Sequence, residues 1–312
     1  MGGPSAEHEV SLATGNNVIV NLDKTKYRPV VIKLSKDKKW LVDGRLTEMP
    51  QALKSCNIVF NALHGTFGED GRVQALMEYC GVRYTGSGIT ASALAMDKLR
   101  SREMFKLAGF CVPKTLKIKK DDNWQARLNL FVSKVTKFPV VVKPCSNGSS
   151  VGVEIVNTKN KLNKAIEKAF GLEKKALIEE FVEGREVTCG VLDNFEGKES
   201  SALPVTEIVP IKGHKFFSYD AKYKSGHCDE ITPAQIDDTT RDKVQEIAVR
   251  AHQLLGCRGY SRTDMILKNG DVYVLETNTL PGLTENSLLP KAAKAVGLTL
   301  PCLLEKIIEN SL

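Results

Sequence analysis

The chain has 312 residues, of which 42% are hydrophobic and 26% are charged, a composition typical of an ordinary soluble globular protein. Lysine and arginine together number 44 against 37 aspartates and glutamates, which gives a formal net charge of +7. The basic residues are scattered, whereas a nucleic-acid surface normally requires a continuous basic stripe or an aromatic-lined groove. We therefore expect no nucleic-acid partner, and the modest positive excess suits a small anionic ligand.

The cysteine pattern and the lack of long apolar runs predict a cytoplasmic protein. None of the eight cysteines stands in a CxxC pair, and several lie in apolar contexts such as that of Cys189. This pattern favours reduced, mostly buried thiols over a disulfide framework or a zinc site. No apolar run approaches membrane-spanning length, so we expect no membrane partner, and the first residues do not resemble a signal peptide.

Residues 1–95 are predicted to form an α/β domain built on parallel strands. The apolar run Asn57–Leu63 is short and rich in β-branched residues, which predicts a buried strand that ends in a loop at His64. A helical pattern spans Arg72–Tyr79, and Val82–Thr85 is predicted to be a second short strand. Alternation of strand, loop and helix is typical of α/β folds.

Residues 96–183 are predicted to form a small central domain. A helical pattern spans Thr90–Ala108 and ends before Gly109, a residue suited to the left-handed conformation that follows many helices. Two β-rich segments, 139–144 and 151–156, flank a glycine- and serine-rich loop and predict an antiparallel hairpin. The domain also contains a predicted helix and a predicted strand, at Lys159–Phe170 and Ala176–Val182.

Residues 184–312 are predicted to form a third domain, since the segment is long enough for a core of its own. Strands are predicted at Glu186–Leu192, Leu203–Val209, Tyr260–Leu267 and Val272–Glu276. Helices are predicted at Thr239–Leu255, Ser287–Ala295 and Leu300–Ile308.

A lysine at the end of a hydrophobic strand carries the first chemical signal. Lys143 closes that strand, and a loop of small residues from Cys145 to Gly152 follows it. Backbone N–H groups of such a loop suit phosphate oxygens, while the lysine supplies a mobile positive charge. The loop is not a Walker A motif, because the lysine precedes the glycines. An ordinary flexible hairpin is the alternative interpretation.

Two neighbouring strands carry the second signal, a set of oxygen ligands. Arg262 and Asp264 are two residues apart and share a strand face, as do Glu276 and Asn278 on the next strand. Pairing of the strands brings three oxygen ligands together, and hard oxygen ligands without histidine or cysteine favour Mg²⁺. A simple solvated strand face is the alternative, but inward polar groups in apolar strands are costly.

Two glycine-containing turns are weaker signals. Residues 280–284 precede a helix that begins near Ser287, and N–H groups at a helix N-terminus can hold a carboxylate. A plain helix-entry loop capped by Ser287 explains the same pattern. The turn His64–Gly71 follows a strand and either contacts a ligand or only needs glycine backbone freedom.

Taken together and in order, these motifs resemble those of the D-alanine–D-alanine ligase family within the ATP-grasp superfamily. The matching segments are Gly2–Leu12, His64–Gly71, Ala95–Lys98, the Lys143 loop, Glu179–Glu186, Tyr219–Tyr223, Arg262–Asp264 and Glu276–Ser287. The resemblance implies an α+β fold in which a parallel N-terminal α/β domain, a small central domain and an antiparallel-sheet domain clamp ATP. It also implies a homodimer and a role in peptidoglycan precursor synthesis.

The reaction that the resemblance implies has two steps. One D-alanine is phosphorylated by ATP to D-alanyl phosphate, and the amine of a second D-alanine then displaces phosphate to give D-alanyl-D-alanine. Two Mg²⁺ or Mn²⁺ ions would assist. The open alternatives are an inactive nucleotide-binding chain and an ATP-grasp carboxylate–amine ligase with other substrates.

By the same resemblance, each site residue has a role. ATP phosphates would contact Lys98, Lys143 and Lys222. The adenine would lie at Glu179 and Val182, and the ribose hydroxyls at Glu186. The metal ligands would be Asp264, Glu276 and Asn278, with Glu276 bridging both ions. The first D-alanine would be positioned by Glu7, Ser149 and Tyr223. The oxyanion would be stabilised by Arg262 and the backbone near Gly282, and the second D-alanine carboxylate would be received by Ser287 and Leu288.

Tyr223 and the start of the chain bear on specificity and stability. The depsipeptide-forming branch of the family carries histidine at the position of Tyr223, so tyrosine favours a dipeptide product; Tyr223 as a packed aromatic and Ser149 as a plain loop hydroxyl are the alternatives. The family normally has a short hydrophobic strand before Gly2, and Met1 stands there instead. We expect two strands without a neighbour and a poorly held Glu7, and a misplaced start site is the simplest hypothesis.

Overall fold

The computed structural model describes residues 1–145, 152–211 and 228–312. The α-helices in these ranges are α1 (His8–Asn21), α2 (Met49–Leu53), α3 (Arg72–Tyr79), α4 (Ile89–Met96), α5 (Lys98–Leu107), α6 (Gln125–Leu130), α7 (Lys159–Leu172), α8 (Asp238–Leu255), α9 (Leu288–Ala295) and α10 (Leu300–Glu309), and a π-helix at Phe131–Val135 follows α6. The early strands are β1 (Ile32–Leu34), β2 (Trp40–Val42), β3 (Arg45–Leu46), β4 (Ile58–Val59), β5 (Arg83–Tyr84), β6 (Thr115–Lys119), β7 (Val140–Pro144) and β8 (Glu154–Val156). The later strands are β9 (Lys175–Glu180), β10 (Arg185–Phe195), β11 (Lys198–Ala202), β12 (Thr206–Pro210), β13 (Cys228–Ile231), β14 (Tyr260–Lys268) and β15 (Asp271–Asn278).

The N-terminal region contains one parallel strand pair and one antiparallel sheet. Strands β4 and β5 are parallel, as predicted, and β1, β2 and β3 form an antiparallel sheet that the sequence did not indicate. The predicted strand Asn57–Leu63 is wrong in length, because only Ile58 and Val59 have strand geometry. In the described part of the chain, β4 has a strand neighbour on one side only, so little pairing is available to extend it.

A cavity of about 600 Å³ is lined by residues of both β1 and β4. Met1 lies at its wall, where its ammonium donates to the Ile32 carbonyl oxygen at 2.9 Å. Burial, assisted by the charge of Lys33, lowers the pKa of this ammonium to about 5. The N-terminal residue is therefore held in the interior beside an apolar cavity.

The segment that carries Glu7 is well held, so the expectation of a poorly held Glu7 is wrong. Ser5 Oγ donates to the His64 carbonyl oxygen at 2.6 Å, and Ser11 Oγ donates to that of Ala62 at 2.6 Å. The Glu7 amide donates to Ser5 Oγ at 3.1 Å, and the residue is buried. These side-chain bonds hold the start of α1 without a further strand.

The central region is an antiparallel four-stranded sheet in the order β6-β9-β7-β8. Val140 pairs with Val156, so the predicted hairpin is confirmed. Helix α7 covers the sheet, and its apolar residues Ile166 and Ala169 are fully buried in the same core as Ile118. The packing of α7 thereby fixes one face of β7, the strand that carries Lys143.

The predicted helix Thr90–Ala108 is two helices, α4 and α5, which meet at Asp97. The Asp97 side chain accepts from the amides of Leu99 and Arg100 at 3.2 and 3.1 Å. It therefore caps α5 in the way that an aspartate N-cap normally does. This break places Lys98 in the first turn of α5.

The C-terminal sheet has the order β13-β12-β10-β14-β15, and β11 also pairs with β10. Strands β14 and β15 form an antiparallel hairpin whose turn contains Asn269 and Gly270, both at positive φ. Two positive φ values are what the tight hairpin turn of type I′ requires. Helix α8 packs on β10, β11 and β14 over a core that includes Val187, Val191 and Met265.

The apolar cores extend across the predicted domain boundaries. Phe105 of α5 is buried in the core of the C-terminal sheet, and Val18 of α1 packs in a cluster with Leu289 and Leu303. The boundaries near residues 95 and 183 stay predictions. In the described ranges, none of the helices has the length and apolarity needed to cross a membrane.

Candidate active site

The hairpin of β14 and β15 places four predicted site residues side by side. Asp264 is the register partner of Glu276, and Arg262 is the partner of Asn278. Arg262, Glu276 and Asn278 line a pocket of about 300 Å³. The strands have this effect because alternate residues point to the same face, as the sequence pattern predicts.

Asp264 is held by two side chains. Arg262 Nε and Nη2 donate to the two carboxylate oxygens of Asp264 at 2.8 and 2.9 Å, and Thr188 Oγ1 on β10 donates at 2.7 Å. The fork geometry of arginine matches a carboxylate in this way. The pair fixes the direction of the Arg262 guanidinium at the pocket wall.

Lys98 reaches the same hairpin from the start of α5. Its Nζ lies 2.7 Å from Glu276 Oε2, and both residues line the pocket. Burial alone would lower the pKa of Lys98, but the charge of Glu276 outweighs burial and raises that pKa. Lys98 is therefore a fully charged lysine at neutral pH.

Lys143 and Glu179 form a second buried pair on neighbouring strands of the central sheet. Lys143 Nζ lies 2.9 Å from Glu179 Oε2, and Arg102 forms an ion pair with the other oxygen, Oε1. Burial first, and then the charge of Arg102, lowers the pKa of Lys143 to about 8. Burial alone would raise the pKa of Glu179, but Arg102 and Lys143 reverse this and lower it.

Arg102 is a site residue that the sequence reasoning missed. It lies one helical turn after Lys98 on α5 and is only 3% exposed. An i, i+4 spacing from Lys98 was the available signal, but the sequence does not show which face of α5 is buried.

Glu7 lies against the glycine turn at the end of the pocket. A Cβ atom on Gly65 would lie 2.9 Å from Glu7 Oε1, so any larger residue there would displace this carboxylate. His64 and Glu69 line the pocket, with His64 Nδ1 3.4 Å from Glu69 Oε1 and His64 Nε2 2.8 Å from Thr14 Oγ1. The turn from His64 thus belongs to the site.

Ser287 and Gly282 lie beside each other at the entrance to α9. Ser287 Oγ accepts from the Thr284 amide at 3.1 Å and lies 2.8 Å from Thr284 Oγ1. A Cβ atom on Gly282 would lie 2.8 Å from Ser287 Oγ. Both residues and Leu288 line the pocket, next to the N-terminus of α9.

The structure thus brings eight of the predicted residues to one pocket. Its lining includes Glu7, Lys98, Arg262, Glu276, Asn278, Gly282, Ser287 and Leu288. Asp264 is joined to the lining through its ion pair with Arg262, whereas Lys143 and Glu179 are not lining residues and pair with each other. Val182 and Glu186 lie where β9 passes into β10, with Val182 buried. Ser149, Lys222 and Tyr223 lie outside the described residues.

The donor set on the hairpin suits a hard cation. Across residues 1–145, 152–211 and 228–312, no group of three histidine, cysteine or acidic residues is arranged for a metal. The set here is instead two carboxylates, from Asp264 and Glu276, and the amide of Asn278, whose Oδ1 accepts from the Leu280 amide at 2.8 Å. Oxygen ligands of this kind, completed by water and phosphate, are typical of Mg²⁺.

Profiles of protein families match nearly the whole chain. The profile described as the D-ala D-ala ligase C-terminus matches residues 104–309, and that of the D-ala D-ala ligase N-terminus matches residues 1–52 and 42–87. The chain belongs to the D-alanine–D-alanine ligase family. The resemblance seen in the sequence motifs is therefore confirmed.

Curated proteins and solved structures agree with this family. The chain is 41% identical over 316 residues to a D-alanine–D-alanine ligase of Syntrophobacter fumaroxidans, covering all of this chain and 96% of that one. It is 38% identical to one of Leptospira interrogans, with the same coverages. The structure matches the VanG D-Ala:D-Ser ligase of Enterococcus faecalis with a TM-score of 0.86 and 32% identity, covering 100% and 98% of the two chains. It matches the Bacillus anthracis D-alanine–D-alanine ligase complexed with ATP with a TM-score of 0.82 and 34% identity, covering 100% and 95%. The expected ATP-grasp fold is thereby confirmed.

Proposed function

We propose that this protein joins two D-alanine molecules to D-alanyl-D-alanine, with ATP converted to ADP and phosphate through a D-alanyl phosphate intermediate. The observation that carries the proposal is the shared pocket of Glu7, Lys98, Arg262, Glu276 and Ser287 in a member of this ligase family. The product serves peptidoglycan precursor synthesis. We also propose that the enzyme acts in the cytoplasm as a homodimer.

The first step places positive charge around the transferred phosphoryl group. Lys98 and Lys143 are each within 3 Å of a carboxylate, at 2.7 and 2.9 Å, and both lysines are nearly buried. Nucleotide phosphates replace those carboxylates as partners of the ammonium groups, and Lys222 joins them. Preorganised charge in a buried site stabilises charge that develops on the transferred oxygens. The adenine lies by Glu179 and Val182, and the ribose by Glu186.

Asp264, Glu276 and Asn278 would hold two Mg²⁺ or Mn²⁺ ions. When bound, such ions neutralise phosphate charge and polarise the phosphoryl oxygens. Arg262 and Lys98 already neutralise the two carboxylates in the ligand-free arrangement. The Arg262 and Lys98 side chains are therefore available to the substrate once Asp264 and Glu276 have other partners.

The second step needs two positioned D-alanines. The Glu7 carboxylate at Gly65 suits the ammonium group of the first D-alanine, and Ser149 and Tyr223 complete that subsite. Ser287 and Leu288, at the N-terminus of α9, suit the carboxylate of the second. Arg262 and the backbone near Gly282 face the developing oxyanion. Holding both reactants together supplies much of the rate enhancement.

D-Serine in the second position is a specific alternative. The Enterococcus faecalis protein with a TM-score of 0.86 is named a D-Ala:D-Ser ligase, whereas the relatives at 41 and 38% identity are named D-alanine–D-alanine ligases. Tyr223 favours an amine over D-lactate in either case. The identity of the second substrate is therefore part of the test.

The test is ADP release from ATP and Mg²⁺, with the product identified by mass spectrometry. The substrates are D-alanine, L-alanine, D-alanine with D-serine, D-alanine with D-lactate, and no amino acid. ADP and D-alanyl-D-alanine formed from D-alanine alone support the proposal. A preference for the mixed D-alanyl-D-serine product replaces it with the alternative. ATP binding by folded protein with no ADP release under any condition identifies an inactive nucleotide-binding chain.

A further inference from the structure

One buried arginine joins the elements that carry the proposed ATP and metal ligands. Arg102 Nε and Nη2 donate to the carbonyl oxygen of Leu275, the residue before Glu276, at 3.1 and 3.0 Å. Its Nη1 donates to Thr115 Oγ1 at 3.2 Å and forms the ion pair with Glu179. A single guanidinium thus connects α5 with β15, β6 and β9.

The charges around Glu179 explain what this connection does. The carboxylate is 4% exposed and has a cation at each oxygen, Arg102 at Oε1 and Lys143 at Oε2. If Lys143 turns its ammonium from Glu179 to a phosphate, the carboxylate loses that cation. A buried carboxylate without any cationic partner is strongly unfavourable. Arg102 is the partner that remains when Lys143 leaves.

We propose that Arg102 is a positioning residue that allows Lys143 to exchange Glu179 for a nucleotide phosphate. This inference rests on the proposed use of ATP and assigns a role to a residue outside the predicted ligand set. Without Arg102, Lys143 is the remaining cation at Glu179, so nucleotide binding must first strip the carboxylate of its partner. With Arg102 present, the exchange leaves every buried charge paired.

Arginine suits this position better than lysine. The planar guanidinium reaches the Leu275 carbonyl with two nitrogens while the third contacts Glu179 and Thr115. An ammonium group carries the same charge on a single nitrogen and cannot keep this fork geometry. Arg102→Lys therefore keeps the charge at Glu179 and loses part of the link to β15.

The experiment is a double-mutant cycle between Arg102 and Glu179. Wild type, R102Q, E179Q and R102Q/E179Q are compared by the dissociation constant of ADP, measured by calorimetry with and without Mg²⁺. R102Q is expected to weaken ADP binding about tenfold or more. The double variant is expected to bind ADP nearly as well as E179Q alone, because a neutral glutamine at 179 no longer retains Lys143. A merely structural role of Arg102 predicts the same loss in both backgrounds.

Steady-state kinetics provide the second readout. In R102Q the KM for ATP is expected to rise while the KM for D-alanine changes by less than about twofold, since Glu7 and Ser287 are not linked to Arg102. R100Q is the matched control, because Arg100 lies on the same helix, is 72% exposed and pairs only loosely with Asp97 at 3.6 Å. Circular dichroism and melting temperature establish that each variant is folded.

The outcomes separate this inference from the proposed function. A folded R102Q with wild-type ADP affinity, or an R102Q substitution that weakens ADP binding as much in the E179Q background as in wild type, overturns the role of Arg102. If R102Q does not fold, R102K replaces it: because lysine keeps the charge at Glu179, ADP affinity is expected to stay within about threefold of wild type, and a loss of about tenfold or more overturns the role of Arg102. Wild type that binds ADP but forms no dipeptide contradicts the proposed function, and the cycle still decides the role of Arg102.

Discussion

Lys98 Nζ lies 2.7 Å from Glu276 Oε2, so the first turn of α5 and the last part of β15 are joined by a partly buried ion pair. Lys143 with Glu179 and Arg262 with Asp264 repeat the arrangement. In the ligand-free protein, the charged groups proposed to bind the phosphates and metal ions are therefore already paired with opposite charges, and Glu179 has Arg102 as a second cationic partner. Substrate binding exchanges partners and leaves few buried charges unpaired, which limits the desolvation cost.

Substitution of Glu276 tests the ligand role directly. E276A is expected to lower turnover by about two orders of magnitude or more, the scale for a lost metal or electrostatic contact at a reacting phosphoryl group. The measurement is ADP release at saturating ATP and D-alanine. E246Q, on the exposed face of α8, is the control for a removed carboxylate. Near-normal turnover of E276A would show that Glu276 is not a required metal ligand.

The pKa of Lys143, lowered to about 8, predicts a pH-dependent affinity for nucleotide. Only the ammonium form attracts phosphate, so ADP binding is expected to be retained below pH 8 and to weaken as the pH rises above it. Arg102 and Lys98 lower this pKa, and Glu179 and Glu276 raise it, with burial as the largest cause. Calorimetric ADP affinity between pH 6.5 and about 9.5 measures the effect.

K143R is the matched control for this titration. Arginine stays charged throughout that pH range, so the variant is expected to bind ADP more weakly but with a flatter pH dependence. The pH dependence that Lys143 gives to folding stability has the opposite sign to the one it gives to ADP affinity. Because the pKa of Lys143 is lower in the folded than in the unfolded chain, the unfolded chain binds more protons above pH 8, and this group makes the protein more stable as the pH rises. A decline in ADP affinity of equal slope in K143R would assign the titration to another group.

The sequence predicted the helices and strands whose pattern is local, and it missed features that depend on packing against other parts of the chain. Helix Arg72–Tyr79 is confirmed residue for residue, since its start after a glycine turn and its periodicity are both local. The break at Asp97 was missed because the apolar pattern continues across it. The strand from Asn57 was predicted too long, because strand length depends on neighbouring strands.

The candidate site shows the same division. The sequence pattern of Arg262, Asp264, Glu276 and Asn278 was sufficient to predict one face of one hairpin. Arg102 was not predictable, because its importance depends on which side of α5 faces Glu179 and the Leu275 carbonyl. Residues that bind ligand follow motifs, whereas residues that position them depend on tertiary packing.

Gly65→Ala is expected to damage the first D-alanine subsite. Gly65 has a φ of +70°, and an added Cβ would lie 2.9 Å from Glu7 Oε1. The Glu7 carboxylate must then move, so the KM for D-alanine is expected to rise about tenfold with little change in the KM for ATP. Gly81→Ala is the matched control, because Gly81 has a φ of +66° and nothing within 4 Å. Equal KM values for D-alanine in the two variants would show that D-alanine binding does not depend on the position of the Glu7 carboxylate.

An apolar extension in front of Met1 is expected to stabilise the protein by occupying the cavity between β1 and β4. The cavity measures about 600 Å³, and Met1 already pairs with β1, where the Leu34 amide donates to its carbonyl oxygen at 2.9 Å. A β-branched segment of about five residues, the usual strand length, can continue that pairing and fill apolar space. It also removes the buried ammonium of Met1, whose pKa of about 5 shows that its charge is disfavoured there.

The extended chain is expected to melt several degrees higher, and dipeptide formation per enzyme is expected to rise with the folded fraction. A glycine- and serine-rich extension of equal length is the control, because it removes the same terminal charge without filling the cavity. Equal melting temperatures for the apolar extension and the present chain would contradict this prediction.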